Sequence, residues 1–173
     1  MPAPTTRRDD TTDSYHGTPV SDPYRWLEDP HTDEVARWVK AQNAHTEAYL
    51  ETCASRGAIR ERLTHLWDYE RVGVPVRRGD HLFFMANDGL QEQSVLCVQP
   101  EDGSEPPRVL LDPNDLSDDG TVALASWSAS KDGTLLAWAT SDGGSDWHTW
   151  RVRDVQSGED RDDLVQWSKF SGA

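Results

Sequence analysis

The spacing of apolar positions changes once along the chain, near Tyr69–Val72. Before that point, Val35, Trp38, Val39, Tyr49 and Leu50 recur at helical spacing between Thr32 and Leu50. Thr32 suits the N-cap of this helix. Asp33 and Glu34 follow it where the positive end of the helix dipole favours carboxylates. A second helix is predicted from Arg56 to Trp67, with Ile59, Leu63, Leu66 and Trp67 on one face. Ahead of both, Asp22–Pro30 has a proline near each end. Proline fixes φ and keeps the preceding residue out of a helix, so this segment is expected to run extended into a turn. Residues 1–14 are polar, with no apolar face to bury, and read as a disordered terminus.

After Val72 short apolar runs alternate with turn signals. Strands are expected at Val72–Arg77, His81–Ala86, Gln93–Val98, Arg108–Leu111, Val122–Trp127, Leu135–Thr140, His148–Arg153 and Asp163–Trp167. Gly79-Asp80, Asp88-Gly89, Asp102-Gly103, Asp132-Gly133, Asp142-Gly143-Gly144 and Ser157-Gly158 supply the turns. These links are too short for parallel crossovers, so the strands should form antiparallel meanders. A repeat runs through them. Leu82-Phe83-Phe84-Met85 and Leu135-Leu136-Ala137-Trp138 start 53 positions apart, and Val95 and Trp150, each opening an alternating strand, lie 55 apart. That period suits four-stranded propeller blades, of which the chain holds about two. The predicted fold is mainly β with an N-terminal helical segment: 1–14 disordered, 15–70 helical, and 71–173 the first blades of an incomplete β-propeller.

Composition removes several classes of function. Seventeen basic against 31 acidic side chains give a formal charge of −14, which repels nucleic acid and anionic membranes. No run approaches the roughly 18 apolar residues of a membrane span, and no secretory h-region opens the chain, so a cytoplasmic location is expected. Cys53 and Cys97 make no disulfide framework and read as free thiols. The six histidines show no metal-binding spacing, and neither a metal nor a cofactor is expected.

The chemistry of catalysis is not visible either. No G-x-S-x-G elbow occurs; Ser145, the nearest candidate, sits in a strand–strand turn. Asp112–Gly120 looks like a calcium loop but fails at Leu116, where an oxygen ligand is needed, and reads instead as a capped loop with a tight turn.

Longer blocks of sequence carry more. Tyr15-His16-Gly17, Asp22-Pro23-Tyr24-Arg25-Trp26-Leu27-Glu28-Asp29-Pro30 and Ala41-Gln42-Asn43 resemble the opening of the prolyl oligopeptidases. Gly89–Leu96, Leu111–Asn114, Leu116–Leu124 and Gly144-Ser145-Asp146-Trp147 resemble the same family, in the same order, from about Tyr15 to Phe170.

The resemblance implies that the helical segment packs on a carboxy-terminal α/β-hydrolase domain, with a seven-bladed propeller inserted between them. It also implies a serine endopeptidase that cleaves short proline-containing peptides with a Ser-His-Asp triad. None of that triad falls in this chain, which alone is expected to be inactive and to expose its docking helices and strand edges. Two positions match family sites. Phe170 matches a phenylalanine lining the pocket for the residue ahead of proline, with blade core as the plainer reading. Asp146 matches an aspartate at the propeller–hydrolase boundary, with turn capping as the plainer reading. Trp167 departs from the family, where a basic or polar residue is more usual. The alternative reading is a stand-alone, non-catalytic docking module.

Overall fold

The computed structural model describes residues 2–172. Its contacts divide into two compact units, with the boundary between Leu63 and Thr64.

The first unit opens with a hairpin that the apolar pattern does not announce. Strands β1 (Thr12–Tyr15) and β2 (Thr18–Ser21) pair antiparallel, with Tyr15 opposite Thr18. The two turn residues between them, His16 and Gly17, both have positive φ (53° and 83°). That is the geometry of a type I′ turn, whose twist matches the flanking strands. The segment 22–30 is not extended as expected. It winds into a 3-10 turn over Arg25–Glu28, with the Leu27 amide donating to the Tyr24 carbonyl (2.9 Å). The fixed φ of Pro23 is compatible with such a turn. The Arg25 guanidinium pins it by pairing with Asp13 and Asp22.

Residues 2–11 form no helix or strand, yet polar contacts tie several of them down. Trp38 Nε1 donates to Thr6 Oγ1 (3.0 Å), Trp26 Nε1 to the Arg7 carbonyl (3.1 Å), and the Asp9 amide to the Pro23 carbonyl (3.1 Å). Arg7 also pairs with Glu34 at 2.7 Å. Trp26 and Trp38 meet edge to face, centroids 6.4 Å apart.

Helix α1 spans Asp33–Leu50, capped as predicted by Thr32, whose hydroxyl accepts from the Val35 amide (3.3 Å). It buries only Val35. Helix α2, Arg56–Trp67, buries nothing; Ile59, Leu63 and Leu66 remain 55, 54 and 48% exposed.

The second unit is two antiparallel sheets that do not close into a ring. The first contains β3 (Arg71–Val72), β4 (Val76–Arg78), β5 (His81–Asn87), β6 (Val95–Pro100) and β7 (Arg108–Leu111). The single strand expected at Val72–Arg77 is split, and both pieces pair with β5. Pro75, which has no N–H to give the ladder, falls in the gap. The second sheet is a plain meander of β8 (Val122–Ala129), β9 (Leu135–Asp142), β10 (Trp147–Asp154) and β11 (Asp160–Lys169). Strand β11 starts three residues earlier than the apolar pattern suggests. Asp160 lies opposite Arg153 and forms an ion pair with it at 2.7 Å.

The core lies between these sheets. Phe83, Leu96, Val98, Leu110 and Leu111 of the first pack with Ala129, Leu136, Trp138 and Val155 of the second, all at most 8% exposed. Phe84, Val95 and Cys97 form a smaller cluster. Their neighbours Phe83, Leu96 and Val98 belong to the main core, so alternate residues supply different clusters, and β5 and β6 are continuous apolar runs.

Two turns seal one end of the interface. The Gly79 amide donates to the Lys131 carbonyl (3.0 Å), and a Cβ on Gly79 would fall 2.1 Å from the Asp132 carbonyl oxygen. Polar side chains also cross between the sheets. Arg153 donates to the Leu110 carbonyl (2.8 Å), and Arg108 donates to the Val155 carbonyl. Among the described residues no helix is long and apolar enough to cross a membrane, and Cys53 and Cys97 are unpaired.

Candidate functional site

The two positions singled out by resemblance, Asp146 and Phe170, stand 24 residues apart in sequence, and the second sheet brings them together. The β9–β10 turn begins the construction. Gly143 and Gly144 take positive φ (56° and 75°), and the Ser145 amide donates to the Asp142 carbonyl (2.9 Å). The Ser145 hydroxyl accepts from the Trp147 amide (3.1 Å), and its carbonyl accepts from the Ser141 hydroxyl (2.6 Å). Ser145 is therefore a turn-forming residue. Asp146 leaves this turn, and Trp147 opens β10 directly opposite Lys169 of β11.

Lys169 links the pair. Its Nζ lies 3.1 Å from the Asp146 carboxylate, 5.3 Å from the Trp147 ring centroid and 4.9 Å from that of Phe170. An ion pair this open to water contributes at most about 1 kcal/mol, so its role is to hold geometry more than to stabilise the fold. Trp147 meets Trp167 edge to face, centroids 5.9 Å apart. Between the pairs His148–Ser168 and Trp150–Val165, Gln166 and Trp167 both lie opposite Thr149, which is a β-bulge. Trp167 takes φ of 59° there, and Phe170 takes φ of 54° just past the strand. Left-handed backbone at such residues costs on the order of 1–3 kcal/mol each and gathers at functional sites.

The product is a shelf of three aromatic rings at one end of the sheet. Trp167 and Phe170 are 76% and 83% exposed in this chain. The shelf offers ring faces and one tethered cation.

Polar residues of the family-like blocks, and Asn87 beside them, tie loops to strands, and Gln93 also joins the two sheets. Gln93 exchanges hydrogen bonds with Asn114 (Gln93 N to Asn114 Oδ1, 3.0 Å; Asn114 Nδ2 to the Gln93 carbonyl, 3.0 Å). Its amide nitrogen also donates to the Val122 carbonyl across to the second sheet (2.8 Å). Buried Asn87 accepts from Arg71 (2.7 Å) and from the Gly89 amide (2.9 Å). Asp112 caps the short 3-10 turn Pro113–Asp115 by accepting from the Asn114 amide (2.9 Å), which is the capped-loop reading of the calcium-like stretch. Such amide bridges have no sequence period, and only the blocks themselves hinted at them.

Comparison with known proteins agrees with this architecture. Residues 4–173 match the family model described as prolyl oligopeptidase, N-terminal beta-propeller domain. A prolyl endopeptidase from Elizabethkingia miricola is 42% identical over 169 residues, covering 98% of this chain and 24% of that protein. A dual function macrocyclase-peptidase from Amanita bisporigera is 34% identical, covering 97% of this chain and 26% of its own length. Among solved structures, a prolyl endopeptidase studied for inter-domain dynamics in catalysis and specificity superposes with a TM-score of 0.81 at 38% identity. That match covers 94% of this chain and 24% of the solved one. Prolyl oligopeptidase B from Galerina marginata, bound to a 35mer hydrolysis and macrocyclization substrate, gives a TM-score of 0.76 at 32% identity over 99% of this chain and 27% of its own. The chain thus spans about a quarter of the length of these relatives.

Proposed function

The chain belongs to the prolyl oligopeptidase family, and from that premise we propose that it serves as the amino-terminal part of a longer serine endopeptidase that cleaves short peptides after proline. In this reading an α/β-hydrolase domain outside these 173 residues supplies the serine, histidine and aspartate of the triad. The present residues support and gate the active site. The apolar face of α2 docks on the hydrolase, and the propeller admits short chains while excluding folded ones. The shelf residue Phe170 receives the side chain ahead of the proline. Asp146, steadied by Lys169, faces the hydrolase boundary. The work is cytoplasmic, consistent with two unpaired cysteines.

The observation that carries this reading is the convergence of Asp146, Trp147, Lys169 and Phe170 at one end of the sheet, where a strained backbone presents aromatic rings to solvent. The test joins the chain to a complementary hydrolase portion and follows a Gly-Pro reporter. The joined protein should hydrolyse it and the purified chain alone should not. Phe170→Ala should raise KM severalfold with kcat nearly unchanged, the signature of lost ground-state binding. Hydrolysis by the chain alone, free of host peptidase, would overturn the proposal.

A further inference from the structure

At the other end of β9 and β10 lies a second feature, separated from the aromatic shelf by eight-residue strands, roughly 25 Å at about 3.3 Å per residue. It is a cavity of about 510 Å³ between the two sheets. That volume falls in the usual range for small-ligand sites. Its walls are drawn entirely from the second unit, from the ends of β6 and β10 and the turns beside them. Val98 and Val155, 2% and 1% exposed, give it an apolar floor beside Pro100 and Pro106.

The polar groups on the walls are unevenly satisfied. Arg108 is the only formal cation in the lining, and among the described residues no carboxylate pairs with it. Its guanidinium donates to the Val155 carbonyl. His81 Nδ1 is buried and has no hydrogen-bond partner. Burying such a nitrogen unpartnered costs about 1–3 kcal/mol. A Cβ on Gly133 would stand 3.3 Å from this nitrogen and 2.4 Å from the Arg78 carbonyl oxygen, so a side chain there would crowd the imidazole. Two carboxylates complete the lining. Glu105 has no ion-pair partner among the described residues, and Asp154 accepts from the Ser157 amide (2.8 Å).

One unpaired cation, two carboxylates and an apolar floor match a small zwitterion with an apolar body. We propose that this inter-blade cavity binds a short peptide with both termini free, its carboxylate on Arg108, its ammonium toward Glu105 and Asp154, and an aliphatic or proline ring against Val98 and Pro106. Such peptides are what a peptidase releases, but the assignment rests on the cavity and stands whether or not the chain joins a hydrolase.

The test titrates the chain with the dipeptide Ala-Pro by saturation-transfer NMR, alongside Ala-Pro amide and N-acetyl-Ala-Pro. Saturable binding is expected, about tenfold weaker when either terminus is blocked, as befits the loss of one charge-assisted hydrogen bond. Arg108→Ala should abolish the difference between acid and amide. Because Arg108 also holds the Val155 carbonyl, Glu105→Gln provides a second variant, at a residue whose carboxylate makes no hydrogen bond or ion pair among the described residues. It should keep the fold and shrink the difference between free and acetylated dipeptide. Equal binding of all three ligands, or no saturable binding, would sink the proposal. So would loss of binding in Phe170→Ala with no change in Arg108→Ala, which would move the ligand to the shelf.

Discussion

The helical unit and the two-sheet unit carry comparable apolar patterns and make opposite use of them. In the sheets, Phe83, Leu96 and Leu136 reach 0% exposure because each sheet supplies the other's cover. In the helices, Val35 alone is buried, and the predicted face of α2 stays about half open. The helix pattern is a property of one segment, whereas burial requires a second surface of matching shape. Period alone therefore identifies an element without telling whether it has found its partner. The first unit is held in large part by polar ties, such as Arg7 to Glu34 and Trp38 to Thr6, and the second mainly by dispersion and apolar burial.

The sharpest way to break this contrast is to empty the shared core. Phe83→Ala removes a ring that packs on Trp127, centroids 6.4 Å apart, with no exposure to water. It should cost about 3–5 kcal/mol in urea unfolding followed by tryptophan fluorescence. A loss under 1 kcal/mol would mean that the sheets do not share a core.

A smaller effect should appear with acid. Burial pushes the Asp160 carboxyl upward, but the hydrogen bond and charge of Arg153 and the Trp138 indole N–H outweigh it, so the net value lies below the ordinary aspartate range. A folded value below the unfolded one, about 3.9, gives stability that is present above about pH 4 and fades as pH falls through the folded value. Asp102, Asp119, Asp132 and Asp154 are lowered as well by hydrogen bonds in their turns, so all will steepen the acid limb. The specific readout is the Tm gap between wild type and Asp160→Asn. It should be widest at pH 6–7 and narrow toward pH 3. A gap that holds constant would remove the ion pair from the account.

The smallest effect belongs to the helices. Leu63→Ser, on the open face of α2, should change the stability of this chain by no more than about 0.5 kcal/mol, since little apolar contact is lost. In the protein joined to a hydrolase portion the same substitution should cost clearly more, read as a lower Tm. Equal effects in both would argue against that face as a docking surface.

Much of this molecule was legible before any coordinates. The Thr32 cap, the extents of both helices and β7 and the meander order of the sheets follow from local rules, because caps, periods and Asp-Gly turns act over a few residues. Resemblance pointed to Asp146 and Phe170, but nothing in the spacing predicted that Lys169 would bridge them or that Trp167 would sit in a left-handed bulge against Trp147. The His16-Gly17 hairpin, the anchoring of residues 6–9 and the Gln93 bridge escaped for a related reason. Each depends on a polar atom meeting a partner distant in sequence, and such meetings leave no period. The sequence by itself determined both long helices, most strands of the two sheets and which side chains are apolar enough to be buried. Only the tertiary structure decided which of them were buried, which polar groups were left unpaired beside the inter-sheet cavity, and which aromatic rings were left facing water. Burial and hydrogen bonding are settled by the second surface that arrives, and no single segment encodes its partner's position.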